Sequence, residues 1–306
     1  MGKKWTRFFG VVLVALLVMG SLTACGGGGG GGAGDGKPGK IIVGGKTFSE
    51  QFLLAELLSI LIQEKLGVET ETKINLGTSV LFEAMAADEI DVYIEYTGTG
   101  LMAILGKDLV TDPDEVYNIV AKEYEEQYGI KWLKPWGFNN TYAMVMRRDK
   151  AEELNLATIS DLAKIGDQLV LGASHEFAER VDGAPGLQEH YGFKFKDIVN
   201  MDPALMYQAV AEGEVDVISG FATEGRIPAF DLVALEDDKH FFPPYHAAPI
   251  VRKEILEAYP ELEDVLNQLA GFFTDETMAA LNAEIDVKGR DPDEVAREFL
   301  TENGFI

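Results

Sequence analysis

An aromatic ring closes each of two matching phrases in this chain. EIDVYIEYTGTG (residues 89–100) carries Tyr96 at the end of a strand-like run, and EVDVISGFATEG (residues 214–225) carries Phe221 in the corresponding place. Two more rings, Tyr142 in GFNNTYAMV and Tyr245 in FFPPYHAAP, stand where the chain crosses between the two halves. Ring faces attract cations through their quadrupole, by about 0.5–1 kcal/mol when exposed and ~2 kcal/mol or more when desolvated. Several rings around one quaternary ammonium can therefore supply most of a micromolar affinity, about 8 kcal/mol. Such a nitrogen has no N–H to donate, so hydrogen-bonding side chains hold it poorly. Taken singly, each tyrosine reads better as a core residue with a satisfied hydroxyl.

Catalytic alternatives find little support. His175, His190, His240 and His246 show no metal-ligand spacing, and no GxSxG elbow is present. IIVGGKTFSE places glycines after a strand but matches neither a P-loop nor GxGxxG. Cys25 is the single cysteine, which leaves the body without a disulfide or a thiol nucleophile. With 26 basic and 51 acidic side chains the formal charge is -25, which disfavours nucleic acid and anionic lipid headgroups. The expectation is a binding protein with no metal, cofactor or enzymatic activity.

These rings must be positioned by a folded body. The 306 residues, 47% hydrophobic and 25% charged, have globular composition. From Lys40 onward, strand and helix patterns alternate: KIIVGG, a helical run from Ser49 to Lys65, ETETKINLG, a short helix, then DVYIEY. A second series begins near residue 143 with AMVMRRD, then Thr158–Ile165 as a helix, QLVLGAS, Ala204–Glu212 as a helix and DVISGF. Such alternation predicts α/β architecture with parallel sheets. FEAMAADEIDVYIEYTGT aligns without a gap on YQAVAEGEVDVISGFATE, pairing Asp91 with Asp216 and Tyr96 with Phe221. The match fits two similar lobes, or simply two βα units sharing a common grammar. In open α/β sheets ligands bind at the carboxyl ends of the strands, where both rings fall. Trp132 and Trp136 read as packing on the first lobe's surface or hinge, and SHEFAERVDGAPGL as a long polar loop that forms a lid or cleft edge.

The N-terminus reads as an export signal. Lys3, Lys4 and Arg7 precede an apolar run too short for the ~20 residues of a membrane span, and Leu22-Thr23-Ala24-Cys25 resembles a lipobox. The expected organisation is a signal peptide (1–24), a lipidated Cys25 with a Gly-rich tether (25–39), lobe 1 (40–142 plus 248–306) and lobe 2 (143–247).

GGKTFSEQFLLAELLS, IEYTGTG, GFNNTYAMVMR, SHEFAERVDGAPGL, YQAVAEGEVDVISGFATEGRI and DPDEVAREFL, in this order, resemble the substrate-binding proteins of osmoprotectant ABC importers, which take glycine betaine, carnitine, choline or proline betaine. The resemblance spans nearly all of residues 40–306 and implies a bilobal periplasmic-binding-protein fold (type II), two βα lobes on a two-strand hinge. It implies an aromatic cage at Tyr96, Tyr142, Phe221 and Tyr245, carboxylate contacts from Lys46, Thr99 and Arg180, and a secondary role for Asn140, where some relatives carry aspartate. Relatives usually have tyrosine at Phe221, so the quadrupole stays and a hydroxyl is lost.

Lys46 and Arg180 bear on ligand choice. If both face the cleft, a betaine carboxylate satisfies them and choline does not, which favours a zwitterion; Arg180 can also pair locally with Glu179 or Asp182. The expected function is capture of a quaternary ammonium osmolyte, glycine betaine first, outside the cytoplasm and delivery to an ABC permease. Rivals are a receptor for another small cation or amino acid, a secreted hydrolase, and a regulatory ligand-sensing domain.

Overall fold

The computed structural model describes residues 38–306, so the expected signal peptide, Cys25 and all of the tether except Pro38 and Gly39 lie outside the described residues. Two five-stranded sheets organise the rest. The first contains β1 (Lys40–Gly44), β2 (Glu69–Lys73), β3 (Val92–Tyr96), β4 (Ile130–Trp132) and β10 (Ala247–Arg252), in the order β2-β1-β3-β10-β4. The second contains β5 (Tyr142–Arg147), β6 (Val170–Ala173), β7 (Asp197–Asn200), β8 (Val217–Phe221) and β9 (Leu232–Leu235), in the order β7-β6-β8-β5-β9. The two orders are the same when β1, β2, β3, β10 and β4 are matched with β6, β7, β8, β5 and β9.

The sheets are mixed, which corrects the expectation of parallel sheets. β10 runs antiparallel to β3 and β4, and β5 runs antiparallel to β8 and β9. The chain enters the second sheet through β5 and returns to the first through β10. Each crossing strand is thus inserted beside the ring-bearing strand, with Tyr142 opposite Phe221 and Ala247 opposite Tyr96. Between the sheets the two crossing segments pair: Asn139 bridges His246 antiparallel, and the Asn140 amide donates to the Tyr245 carbonyl at 3.1 Å.

The repeated phrase has one structural meaning in both sheets. The helix α2 (Thr78–Ala86) leads into β3 and the helix Pro203–Glu212 leads into β8. Each helix exits through a residue at positive φ, Asp88 at 65° and Gly213 at 77°, where glycine or a short polar side chain is tolerated. At the start of each strand an aspartate clasps its neighbour. Asp91 accepts from the Ile42 amide at 2.8 Å, and Asp216 accepts from the Val170 amide at 2.7 Å.

The long helix α1 (Ser49–Leu66) anchors the first sheet. Leu53, Leu54, Leu57, Leu58 and Leu61 have no exposed surface, and the helix packs on β1–β3 and against the helix Pro292–Glu302. Burial of each such leucine contributes about 1.5–3 kcal/mol, so the first turn of α1 is held in a fixed place. Trp136 is fully buried, its indole N–H donating to the Leu266 carbonyl at 3.3 Å, and Trp132 packs edge-on against Tyr124 at 5.3 Å. Both are buried core residues, where the sequence suggests packing on the first lobe's surface or hinge. No helix among the described residues is long and apolar enough to cross a membrane.

Candidate functional site

The carboxyl ends of β3 and β8 and the crossing segments open onto one cavity of about 540 Å³, in the range of small-molecule sites. Tyr96, Tyr142, Phe221, Tyr245, Lys46, Thr99, Arg180 and Asn140 all line it. Tyr142 lies 5.1 Å from Phe221 and 5.6 Å from Tyr245, ring centre to ring centre, the latter pair at right angles. Tyr96 joins the group through a ring that the sequence reading missed. Phe48, just before α1, stacks on Phe221 at 4.9 Å and lies nearly parallel to Tyr96 at 6.3 Å. Phe177 and Phe242 pack on Tyr142 at 4.8 Å and 5.8 Å. Gly98 permits the approach of Tyr245, because a Cβ there would meet Tyr245 Cδ1 at 2.9 Å and the Pro244 carbonyl oxygen at 2.9 Å.

The hydroxyls of two of these tyrosines are committed to buried carboxylates. Tyr96 donates to Glu50 at 2.6 Å and accepts from Gln51 at 3.0 Å, and Tyr245 donates to Asp182 at 2.7 Å. Burial, and then these neighbouring anions, push both phenols far above the ordinary tyrosine range. Each phenol remains neutral at physiological pH. Tyr142 is also raised, chiefly by burial, while the Arg180 guanidinium opposes the shift.

Both basic residues of the cavity already have anionic partners. Lys46, buried, pairs with the fully buried Glu95, which also accepts from the Tyr93 hydroxyl at 3.1 Å. Arg180 grips Asp182 with two donors, Nε to Oδ1 at 2.8 Å and Nη2 to Oδ2, and its Nη2 lies 3.4 Å from Thr99 Oγ1. The local pairing with Asp182 is therefore present, together with a place in the cavity wall. Lys46 Nζ sits 5.2 Å from the Tyr96 ring centre and Arg180 Cζ 5.9 Å from that of Tyr142, so two of the rings already meet a protein cation. With both cations compensated, the sequence argument that choline leaves two bare positive charges is weakened.

SHEFAERVDGAPGL is more ordered than the expected loop. Ser174 caps a helical turn, His175–Glu179, by accepting from the Phe177 amide at 3.2 Å, and a second helix covers Ala184–Tyr191. The first turn aims Glu176 across the cleft mouth, where its carboxylate accepts from Thr78 N at 2.6 Å and Thr78 Oγ1 at 2.9 Å. Those donors open α2, so an acidic side chain from the second sheet's side meets the positive end of a helix on the first. Among the described residues no group of three or more His, Cys, Asp or Glu side chains is placed to hold a metal ion.

Two α/β sheets with matching strand orders, linked by paired crossing segments and enclosing an aromatic-lined cavity, define the bilobal solute-binding class. Within that class the chain belongs to the family described as the substrate binding domain of ABC-type glycine betaine transport systems, whose profile matches residues 39–302. This is a family of transport binding proteins rather than an enzyme class. The chain is 35% identical to the carnitine transport binding protein OpuCC of Listeria monocytogenes, over 100% of this chain and 99% of that protein. It is also 35% identical to a glycine-betaine-binding protein of Pseudomonas aeruginosa, over 95% and 96% of the two chains. A solved structure described as a glycine betaine/carnitine/choline ABC transporter superposes with a TM-score of 0.72 at 32% identity, covering 87% of this chain and 99% of the other.

Proposed function

We propose that this protein captures a quaternary ammonium osmolyte in the cavity between its sheets, outside the cytoplasm, and delivers it to an ABC permease. The observation that carries this reading is the gathering of Tyr96, Tyr142, Phe221 and Tyr245 around one cavity that also holds Lys46, Thr99 and Arg180. The rings take the methylated nitrogen, and the basic residues with Thr99 take an anionic tail. Relatives named for carnitine and glycine betaine support the same ligand class. Contacts from both sheets favour the shut form when ligand is present, because ligand then binds closed protein more tightly than open. Export and anchoring through Cys25 complete the proposal.

Glycine betaine remains the favoured ligand, since Lys46 has donors beyond the one given to Glu95. Choline is the second reading, favoured by the pairing of Lys46 with Glu95 and Arg180 with Asp182. Titration calorimetry with glycine betaine, proline betaine, carnitine and choline separates them. Lys46→Ala is expected to weaken glycine betaine more than choline; an equal loss for both removes Lys46 from the carboxylate site.

A further inference from the structure

Glu50 lies in the first turn of α1, 3% exposed, and its carboxylate receives four donors. Oε1 accepts from the Tyr96 hydroxyl at 2.6 Å and Asn140 Nδ2 at 2.8 Å; Oε2 accepts from Thr223 Oγ1 at 2.5 Å and Asn282 Nδ2 at 2.9 Å. No ion pair within the described residues reaches it: Lys46 is paired with Glu95, and Arg226 with Glu224 and Asp286. A buried carboxylate without a counter-charge is costly unless something positive is brought near it.

Two of its partners face the cavity. A carboxylate accepts and does not donate, so it turns the Asn140 NH2 group toward itself and leaves Asn140 Oδ1, buried, with no hydrogen-bond partner. It likewise accepts the hydrogen bond of the Tyr96 hydroxyl, which makes that ring more electron-rich. Resting on the cation-capture reading above, we propose that Glu50 is the positioning residue and counter-charge of the cage. It fixes the Tyr96 ring and the Asn140 carbonyl as electron-rich walls, and a ligand cation supplies the positive charge that the protein withholds.

Three proteins test this by calorimetry with glycine betaine: wild type, Glu50→Gln, and the exchange Glu50→Gln/Asn140→Asp, which keeps one carboxylate and one amide in the pair. Glu50→Gln is expected to bind about tenfold more weakly. The exchange is expected to regain most of that loss, because the anion is restored one side chain nearer the cavity. The carbon isostere 3,3-dimethylbutanoate, read by displacement, is expected to change by less than about twofold in Glu50→Gln. Unchanged betaine affinity in Glu50→Gln, failure of the exchange to recover it, or an equal loss for the isostere overturns the proposal. If wild-type protein binds none of the quaternary ammonium compounds, the parent reading fails first, and the failure is seen without any Glu50 variant. Circular dichroism and Tm of each variant separate a lost fold from a lost charge.

Discussion

The ring and the hydroxyl of Tyr245 contribute separately. The hydroxyl holds Asp182, but Arg180 supplies two further donors to that carboxylate, so its loss leaves no orphaned anion. Tyr245→Phe is expected to weaken betaine binding by less than about threefold, whereas Tyr245→Ala and Tyr96→Ala weaken it by more than about tenfold, the loss of a desolvated cation–ring contact. Calorimetry on the three variants checks the order. Glu50 carries a pH signature of its own. Burial raises its folded pKa above the unfolded value near 4.5, so its ionised form costs stability in ligand-free protein. A raised folded pKa means the contribution is fully present below the unfolded pKa and is lost as pH rises through the folded one. The Tm of Glu50→Gln relative to wild type is therefore expected to be highest near neutral pH and to fall as pH approaches about 4.5. Asp286, also raised by burial, is common to both proteins and cancels in the difference.

At the scale of elements, the two aspartates of the repeat do the same work at unequal cost. Asp216 accepts from the Val170 amide, whereas Asp91 accepts from Ile42 and also pairs with Arg252 at 3.1 Å. Asp216→Ala is expected to cost about 1 kcal/mol and Asp91→Ala about 2–3 kcal/mol, read from urea midpoints at constant slope. Betaine affinity is expected to stay within about twofold in Asp216→Ala, since that residue lies at the opposite end of its strand from Phe221. The helix–turn–strand unit was legible because Asp-Val and the ring recur at one spacing in both halves. Strand direction was not, since an alternating or continuous apolar run looks the same read up or down a sheet. Glu50 was missed for a similar reason: an acid in a first helical turn is sufficiently explained by the helix dipole. Phe48, directly before α1, likewise resembles an ordinary apolar residue at a helix entrance.

At the scale of the whole molecule, several polar contacts span the cleft in addition to the rings, among them Glu176 to Thr78, Arg180 to Thr99, Thr223 to Glu50, Asn282 to the Thr223 carbonyl, and Arg226 to Asp286. The first sits at the mouth and joins a carboxylate to the positive end of α2. Glu176→Gln is expected to raise the betaine dissociation rate by about three- to tenfold with a smaller change in association rate, measured by stopped-flow, because the latch acts only after closure. All eight ligand-binding positions named from the sequence line one cavity, but the residues behind them come from distant segments: Asn282 reaches Glu50 from the helix Asp275–Asp286. Spacing along a chain does not show which far segment folds back, so the rings and the local Arg180–Asp182 pair were legible and the buried carboxylates Glu50 and Glu95 were not. The decisive measurement is a crystal structure with glycine betaine bound. Its nitrogen is expected within about 6 Å of the ring centres of Tyr96, Tyr142, Phe221 and Tyr245. A nitrogen lying outside those rings, or ligand bound away from this cavity, overturns the aromatic cage.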